Sequence, residues 1–222
     1  MTIYYKTGSK GEVVRQIQTA LAGAGLAVAV DGVYGPVTAE AVREFQKMKG
    51  VKADGVVGPA TMALLFPCRF KKSKRRITDI VVHCTATKTS NDLTVEDIRR
   101  MHKKRGWNDI GYHYVVTLDG KVHKGRDVDV IGAHVSGYNA HSIGVVYVGG
   151  LDRDGDPCDT RNDLQKAALL SLLLELRKLY PDARISGHRD FSPDLNGNGI
   201  VEPKEWIKAC PCFNAKSEYK SV

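Results

Sequence analysis

Apolar residues recur at helical spacing in two stretches near the start of the chain. Positions three and four apart share one face of a helix, so each stretch predicts an amphipathic helix. The pattern Asp-Gly-x-x-Gly-Pro-x-Thr occurs at residues 31–38 and again at 54–61. Asp-Gly favours a tight turn and Pro suits the first turn of a helix, so each copy predicts a turn that leads into a helix. We therefore expect a small domain of three short helices in residues 1–66. The apolar positions are Val13, Ile17, Ala20, Leu21, Ala39, Val42, Phe45 and Met48.

Residues 77–222 show a different pattern, in which short β-branched and apolar runs alternate with helical stretches. The sequence Thr-Val-Glu-Asp at 94–97 is typical of a capping box, and residues 164–180 carry a leucine stripe that ends before Pro181. Strands and helices in this order predict a mixed α/β domain, with a central mixed β-sheet flanked by helices. The predicted strands cover residues 77–85, 111–118, 121–124, 142–148 and 183–186.

Positive charge is concentrated at the front of the chain, whose formal net charge is +8. Residues 1–76 carry 13 Lys and Arg against 5 Asp and Glu, whereas the remaining residues carry 20 of each. Much of the excess lies in residues 67–76, which we interpret as a basic linker between domains at 1–66 and 77–222. A block of like charge is typical of a solvated segment, and it also suits a polyanionic partner.

The sequence carries little sign of a membrane or secretory destination. No run approaches the roughly 18 apolar residues of a membrane span, so we expect no membrane insertion. The first residues, Met1–Lys6, lack the apolar core of a secretory signal, which predicts synthesis in the cytoplasm without a signal peptide. The five cysteines are an odd and scattered set, which favours metal binding or burial over a disulfide framework.

Two histidines and a cysteine are candidates for a metal site. His83 ends the strand-like run Ile-Val-Val, and His188 follows the predicted last strand. Cys210 lies in the sequence Lys-Ala-Cys-Pro, where the lysine favours a thiolate, and we choose it over Cys212 for that reason. Two imidazoles and one thiolate are a ligand set of catalytic zinc, which keeps its fourth position open. The residues therefore predict a Zn²⁺ site that activates water for attack on a carbonyl group.

The front domain resembles a known family. The segments Gly8-Ser9-Lys10-Gly11 and Phe45-Gln46, together with the doubled Asp-Gly motif, resemble the three-helix peptidoglycan-binding domain of cell-wall hydrolases. The resemblance covers most of residues 7–66 and implies that this domain anchors the protein to the wall. We interpret the motif aspartates and glycines as turn formers. Tyr34 is the residue that we expect to contact a sugar, since an aromatic ring stacks on a sugar face.

Five further segments resemble the type 2 N-acetylmuramoyl-L-alanine amidases, which include the T7 lysozyme-like phage enzymes. They are Ile-Val-Val-His83-Cys-Thr-Ala-Thr, Gly106-Trp-Asn-Asp-Ile-Gly-Tyr112-His-Tyr, Gly132-Ala-His134-Val-Ser-Gly-Tyr-Asn139, Ser142-Ile-Gly-Val and Lys208-Ala-Cys210-Pro. The resemblance covers about residues 77–216. It implies zinc held at the positions of His83, His188 and Cys210, and hydrolysis of the amide bond between N-acetylmuramic acid and L-alanine.

The same resemblance implies that Tyr112 and Lys208 are catalytic residues. A tyrosine hydroxyl can hold water or pass a proton, and a lysine cation can stabilise an oxyanion. We interpret His134 and Asn139 as substrate-binding residues in a loop beside the site. The expected partner is bacterial peptidoglycan, with no specific nucleic acid, and we expect a monomeric phage or prophage endolysin that acts on the wall after release or export.

A second metal site is predicted between His188 and Cys210. The sequence from Asp194 to Glu205 follows the calcium-loop pattern Asp-x-Asn-x-Asn-Gly-x₅-Glu, which supplies oxygen ligands in a fixed order. The ligands predicted for Ca²⁺ are Asp194, Asn196, Asn198, Ile200 and Glu205. The alternative is a polar Asn-Gly turn, because Ser192-Pro193 prevents the helix that usually precedes such a loop.

Three other functions remain open from the sequence. The first is a peptidoglycan-recognition protein without hydrolysis, which would be expected to lack a metal ligand. The second is a peptidase that pairs Cys84 or Cys158 with His134 and would survive chelation. The third is a nucleic-acid or polymerase partner that binds through the basic segment.

Overall fold

The computed structural model describes residues 4–66, 70–220 and 222. The chain forms two compact units. One contains Met1–Arg69 and Leu170–Glu175, and the other contains Phe70–Leu169 and Leu176–Val222. The borders at 1–66, 67–76 and 77–222 between a front domain, a linker and a back domain stay a prediction.

The first unit contains the three predicted helices. They are α1 (Glu12–Gly23), α2 (Pro36–Met48) and α3 (Pro59–Leu65). Proline starts both α2 and α3, where a missing N–H costs no intrahelical bond. The apolar stripes pack inward, with Ile17, Leu21 and Val42 fully buried. The prediction of a helical front domain is therefore confirmed.

The two Asp-Gly turns are held by matching hydrogen-bond networks. The side-chain amide of Gln18 donates to Asp31 Oδ1 at 2.8 Å and to Thr38 Oγ1 at 3.0 Å. Its carbonyl oxygen accepts the N–H of Gly32 at 2.8 Å. The same bonds recur in the second copy with Gln46, Asp54, Thr61 and Gly55. Both glycines have positive φ, which explains the Asp-Gly pair in each turn.

Tyr34 does not offer a surface to a sugar. Its side chain is fully buried in the first unit, and its hydroxyl donates to the carbonyl oxygen of Gly55 at 3.0 Å. A ring without exposed surface has no face on which a sugar can stack. The interpretation of Tyr34 as a sugar-contacting residue is corrected, since this side chain ties the first Asp-Gly turn to the second.

The second unit is built on a five-stranded mixed sheet in the order β4-β3-β5-β1-β7. All neighbouring pairs are parallel except β3 and β4, which form a hairpin. The strands of this sheet are β1 (Asp79–Cys84), β3 (Tyr114–Val116), β4 (Val122–Lys124), β5 (Ser142–Tyr147) and β7 (Arg184–Gly187). A separate parallel pair joins β2 (Thr87–Lys88) and β6 (Gly150–Leu151). The predicted central mixed sheet is confirmed.

Among the described residues, three further helices lie between or after the strands in chain order, and Leu170–Glu175 of the second of them belong to the first unit. They are α4 (Val95–Lys104), α5 (Asp163–Leu179) and the short α6 (Ala215–Glu218), with 3₁₀ turns at Asn139–His141, His188–Phe191 and Pro203–Glu205. Thr94 and Asp97 form the capping box predicted for α4. β1 and β5 are buried along their whole length, as the continuous apolar sequence of a central parallel strand predicts. No helix in the described part of the chain is both long and apolar enough to cross a bilayer.

The described part of the basic segment lies against the second unit. Ser73 is buried, and its hydroxyl donates to the carbonyl of Val128 at 2.7 Å. The guanidinium of Arg75 donates to several main-chain carbonyls between residues 128 and 142. The segment is therefore solvated only in part, because Ser73 and Arg75 are held by main-chain acceptors whereas Lys71, Lys72, Lys74 and Arg76 are exposed. Residues 67–69 lie outside the described residues.

Candidate metal centre and active site

His83 and His188 meet at the carboxyl ends of neighbouring parallel strands. β1 pairs with β7 in a register that sets Val82 opposite Gly187. The next residue along each segment is one of the two histidines, His83 on β1 and His188 at the start of the 3₁₀ turn after β7, and their ring centroids lie 4.8 Å apart. His83 is fully buried, whereas His188 is partly exposed. Parallel pairing therefore brings together two side chains that are distant in sequence.

A turn places Cys210 beside these rings. The main-chain N–H of Cys84, next to His83, donates to Cys210 Sγ at 3.2 Å. The carbonyl oxygen of Cys210 accepts the main-chain N–H of Arg189 at 2.8 Å. This bond holds the Cys210 turn next to His188, which precedes Arg189. Gly187 permits this approach, because a Cβ there would lie 2.4 Å from Pro211 Cδ.

The three donor atoms converge closely enough to hold one metal ion, and one pair of them has the spacing of a tetrahedral site. The candidate ligand atoms of His83, His188 and Cys210 all lie within 4.8 Å of one another, and the described residues contain no other such group of three His, Cys, Asp or Glu. His83 Nδ1 lies 3.7 Å from Cys210 Sγ. Tetrahedral zinc with its usual bond lengths sets a nitrogen and a sulfur ligand about 3.6 Å apart. The residues present therefore fit the predicted ion.

The electrostatics keep both imidazoles neutral, as metal ligands must be. Burial, followed by the nearby His134 and His188, holds the pKa of His83 well below its ordinary value. Burial and then the charge of Lys208 lower the pKa of His188 to about 4. A free nitrogen lone pair is thus available on each ring at neutral pH.

His134 lies behind His83 rather than in an open groove. It is 8% exposed, and its Nδ1 lies 3.1 Å from His83 Nε2. Its other ring nitrogen lies 3.3 Å from the hydroxyl of Ser142. Both ring nitrogens thus face protein groups, and contact of His134 with substrate stays a prediction. Its position suits orientation of the His83 ring.

Asn139 shapes the loop that carries His134. Its side-chain oxygen accepts the main-chain N–H of His134 at 2.8 Å and that of Val135 at 2.9 Å. The carboxamide thus closes the loop on itself. Contact of Asn139 with substrate stays a prediction.

Tyr112 and Lys208 border the metal centre from different elements. Tyr112 lies just before β3, and the centroid of its ring is 5.1 Å from that of the His83 ring. Burial raises the pKa of Tyr112 above its ordinary value, so its hydroxyl keeps its proton at neutral pH. Lys208 is exposed, and its charge reaches both His83 and His188, as the lowered pKa of each shows.

The predicted calcium loop forms a compact turn held by its own main chain. The Asp194 carboxylate accepts the N–H groups of Gly197 and Gly199 at 2.8 and 2.7 Å. Glu205 is buried and accepts the N–H groups of Leu195 and Glu202 at 3.0 and 2.8 Å. These bonds suit a polar turn without an ion, and the role of the loop in Ca²⁺ binding stays a prediction.

Comparison with known proteins decides the family. Residues 73–205 match the family model of N-acetylmuramoyl-L-alanine amidases, and residues 10–65 match that of a peptidoglycan binding domain. The chain belongs to the N-acetylmuramoyl-L-alanine amidase family. This amidase is therefore a hydrolase that cleaves the amide bond between an N-acetylmuramoyl group and L-alanine.

Curated relatives and a solved structure agree with this assignment. The endolysin of Klebsiella phage KP32 is 42% identical over 64% of this chain and 85% of its own. The endolysin of Escherichia phage T7 is 40% identical over 67% of this chain and 89% of its own. The endolysin amidase LysCS from Clostridium intestinale URNW has a TM-score of 0.51 at 23% identity, covering 69% of this chain and 93% of that one. At that identity the structural likeness shows the fold.

The remaining alternatives are less well supported. Similarity to endolysins, together with a full set of three candidate ligands, favours catalysis over recognition alone. A cysteine peptidase would need His134 beside a thiol, but the ring nitrogens of His134 face His83 and Ser142.

The sequence did not indicate that Arg75 and His113 support the loop around His134. Neither residue differs in sequence pattern from its neighbours, so only the fold identifies them.

Proposed function

We propose that this amidase is a zinc-dependent endolysin, with His83, His188 and Cys210 as the metal ligands. The observation that carries the proposal is the convergence of two neutral imidazoles and one sulfur, whose donor atoms all lie within 4.8 Å of one another. Zinc bound there would supply Lewis acidity toward a carbonyl oxygen and a lower pKa for water. One ligand position would stay open, as in other three-ligand catalytic sites.

The chain's own residues have defined tasks in this reaction. His83, hydrogen-bonded through Nε2 to His134, presents Nδ1 on the side of Cys210. Tyr112 is protonated at neutral pH and so can donate its hydroxyl to water or to the leaving amine. Lys208 places a compact cation at the solvent side of the centre, where it would stabilise the negative charge that develops on the amide oxygen.

The substrate is proposed to be the lactyl-L-alanine amide of peptidoglycan. The match of residues 10–65 to a peptidoglycan binding domain supports a wall-binding role for the first unit. A chain with a net charge of +8 is also attracted to polyanionic wall polymers. Synthesis in the cytoplasm and a monomeric state stay predictions.

The test is digestion of purified peptidoglycan by zinc-loaded and chelated protein, followed by mass analysis of the released ends. We expect new free N-terminal L-alanine, loss of activity after chelation and recovery with added Zn²⁺. Release of reducing sugar ends instead would identify a glycosidase. Activity that persists in fully metal-free protein would overturn the metal assignment.

Two histidine variants test whether His188 is a metal ligand. His188→Ala removes one proposed ligand, whereas His123→Ala changes a histidine outside the centre on β4. Zinc content per chain, measured by atomic emission, should fall in the first variant only. Equal zinc content in both variants would show that His188 is not a ligand.

A further inference from the structure

Two cysteines that the proposed mechanism does not use lie next to each other beside the metal centre. Cys84 Sγ lies 3.7 Å from Cys212 Sγ, although the residues are 128 positions apart in sequence. Cys84 directly follows His83 on β1, and Cys212 lies two residues after Cys210. Cys84 is 4% exposed, whereas Cys212 is partly exposed.

Gly150 packs directly against this pair of thiols. A Cβ on Gly150 would lie 2.5 Å from Cys84 Sγ and 3.6 Å from Cys212 Sγ, so a larger residue would displace the thiols. The Cys212 thiol donates to the carbonyl oxygen of Gly150 at 3.2 Å. The main-chain N–H of Cys212 donates to the carbonyl of Ala209 at 2.8 Å, which holds the turn around Cys210.

The Cys84 side chain leaves β1 on the face opposite to His83. Successive side chains of a strand point to opposite faces, so Cys84 and His83 leave β1 in opposite directions. Sulfur atoms in a disulfide are about 2.05 Å apart, and a small shift of the partly exposed Cys212 side chain would close the remaining gap. Cys210 Sγ lies 3.7 Å from His83 Nδ1, where the proposed metal would hold it.

We propose that Cys84 and Cys212 form a reversible disulfide that fastens the strand bearing His83 to the turn bearing Cys210. The oxidant is a small-molecule disulfide such as oxidised glutathione. Cys212, the more accessible thiol, loses its proton to solvent and attacks the oxidant, which releases one glutathione thiol. Cys84 then loses its proton and attacks the mixed disulfide at Cys212, which releases the second glutathione thiol. Two cysteine thiols are oxidised and one glutathione disulfide is reduced.

Such a bond would stabilise the metal centre against loss of its ion. It closes a long loop between two ligand-bearing segments and so restricts the unfolded chain. It also limits the separation of those segments when no metal holds them. We therefore expect a higher midpoint of thermal unfolding for the oxidised protein, with the larger shift in metal-free protein.

The experiment uses zinc-loaded full-length protein with Cys68→Ser and Cys158→Ser, which leaves three cysteines. It is incubated with oxidised glutathione for hours, because Cys84 is buried and thiol–disulfide exchange at a buried sulfur is slow. After alkylation and trypsin digestion, the expected product joins peptide 77–88 to peptide 209–216. Its mass is lower by two hydrogen atoms than that of the separate peptides, and the zinc content per chain is unchanged.

One further variant assigns the bond, and the wild-type protein controls for the oxidant. Cys212→Ser in the same background should abolish the joined peptide. Wild-type protein should carry a glutathione adduct on the exposed Cys158, which shows that the oxidant was active. The proposal is overturned if the joined peptide persists in Cys212→Ser together with zinc release, since Cys210 would then be the partner. It is equally overturned if Cys158 is modified and no joined peptide forms. The joined peptide and the midpoint of thermal unfolding are both measured without any amidase assay. A failure of the disulfide proposal is therefore distinguishable from a failure of the proposed function.

Discussion

His83 Nε2 lies 3.1 Å from His134 Nδ1, and both rings are buried. Because His83 Nδ1 faces Cys210, Nε2 is the nitrogen left to carry a proton and donate it to His134. The second nitrogen of His134 faces the hydroxyl of Ser142 at 3.3 Å. This chain of contacts sets the tautomer and the orientation of a proposed metal ligand.

Replacing His134 should therefore weaken metal binding. We expect His134→Ala to lower zinc affinity by about 10–100-fold, the usual cost of losing a group that orients a metal ligand. Competition with a chromogenic chelator measures this affinity directly. His141→Ala, in the same loop but outside the hydrogen-bond chain, serves as the control. Unchanged affinity in His134→Ala would show that the contact does not orient His83.

The hydroxyl of Tyr112 is expected to act in the chemical step alone. Tyr112→Phe keeps the ring that packs 5.1 Å from His83 and removes only the donor. We expect kcat to fall about 10²–10⁴-fold, the range typical of a lost acid–base group, with zinc content unchanged. Tyr138→Phe changes an exposed ring and should keep its activity. A Tyr112→Phe enzyme with normal kcat would assign this ring to packing.

Lys208 should contribute through its charge. Lys208→Ala is expected to lower kcat by about 10²-fold through loss of oxyanion stabilisation, and Lys208→Arg should recover part of that loss. Lys204→Ala removes an exposed cation that pairs with Glu202 and is the matched control. An equal effect of both alanine variants would point to general surface charge instead.

Arg75 should stabilise the loop around His134. Its guanidinium donates to the carbonyl oxygens of Val128 and Ser142 at 2.8 and 3.2 Å, among others. Arg75→Ala leaves these acceptors without a donor, and we expect it to lower the free energy of unfolding by about 2–3 kcal/mol. Urea unfolding measures the change. The neighbouring Arg76→Ala, at an exposed position, should have little effect, and similar losses in both variants would contradict the role of Arg75.

His113 should make the fold sensitive to acid. Its Nδ1 accepts the N–H of Gly144 at 2.9 Å, so Nε2 carries the proton and donates to the carbonyl of Val130 at 3.1 Å. Burial lowers the pKa of His113 to about 4, from an ordinary value of 6.5. The unfolded state therefore binds more protons between pH 6.5 and 4, and stability falls as the pH drops through this window.

The measurement for His113 is the free energy of unfolding as a function of pH. The expected contribution of His113 is on the order of 2–3 kcal/mol between pH 7 and pH 4, in addition to the contributions of the other buried histidines whose pKa is lowered. His113→Gln removes one titrating ring and should reduce the slope of this part of the profile by that amount. His123→Gln is the control on a more exposed histidine of β4. Identical slopes for the wild type and His113→Gln would show that another group titrates.

Local sequence determined much of this fold. The apolar stripes of α1 and α2, the two Asp-Gly turns and the capping box at Thr94 and Asp97 all depend on residues close in sequence. Such features follow from backbone preferences and the spacing of a single helix face, so they are readable before any fold is known. The positions of His83 and His188 after apolar runs were readable for the same reason.

Tertiary structure alone decided which of these residues meet. The sequence indicates that strands precede both histidines, but only the β1–β7 pairing makes them neighbours. In the same way, the burial of Tyr34, the turn of His134 toward His83 and the approach of Cys84 to Cys212 join residues that are distant in sequence. Side-chain type and spacing predict local conformation and available chemistry, whereas contacts across the chain depend on strand order and packing, which no single segment encodes.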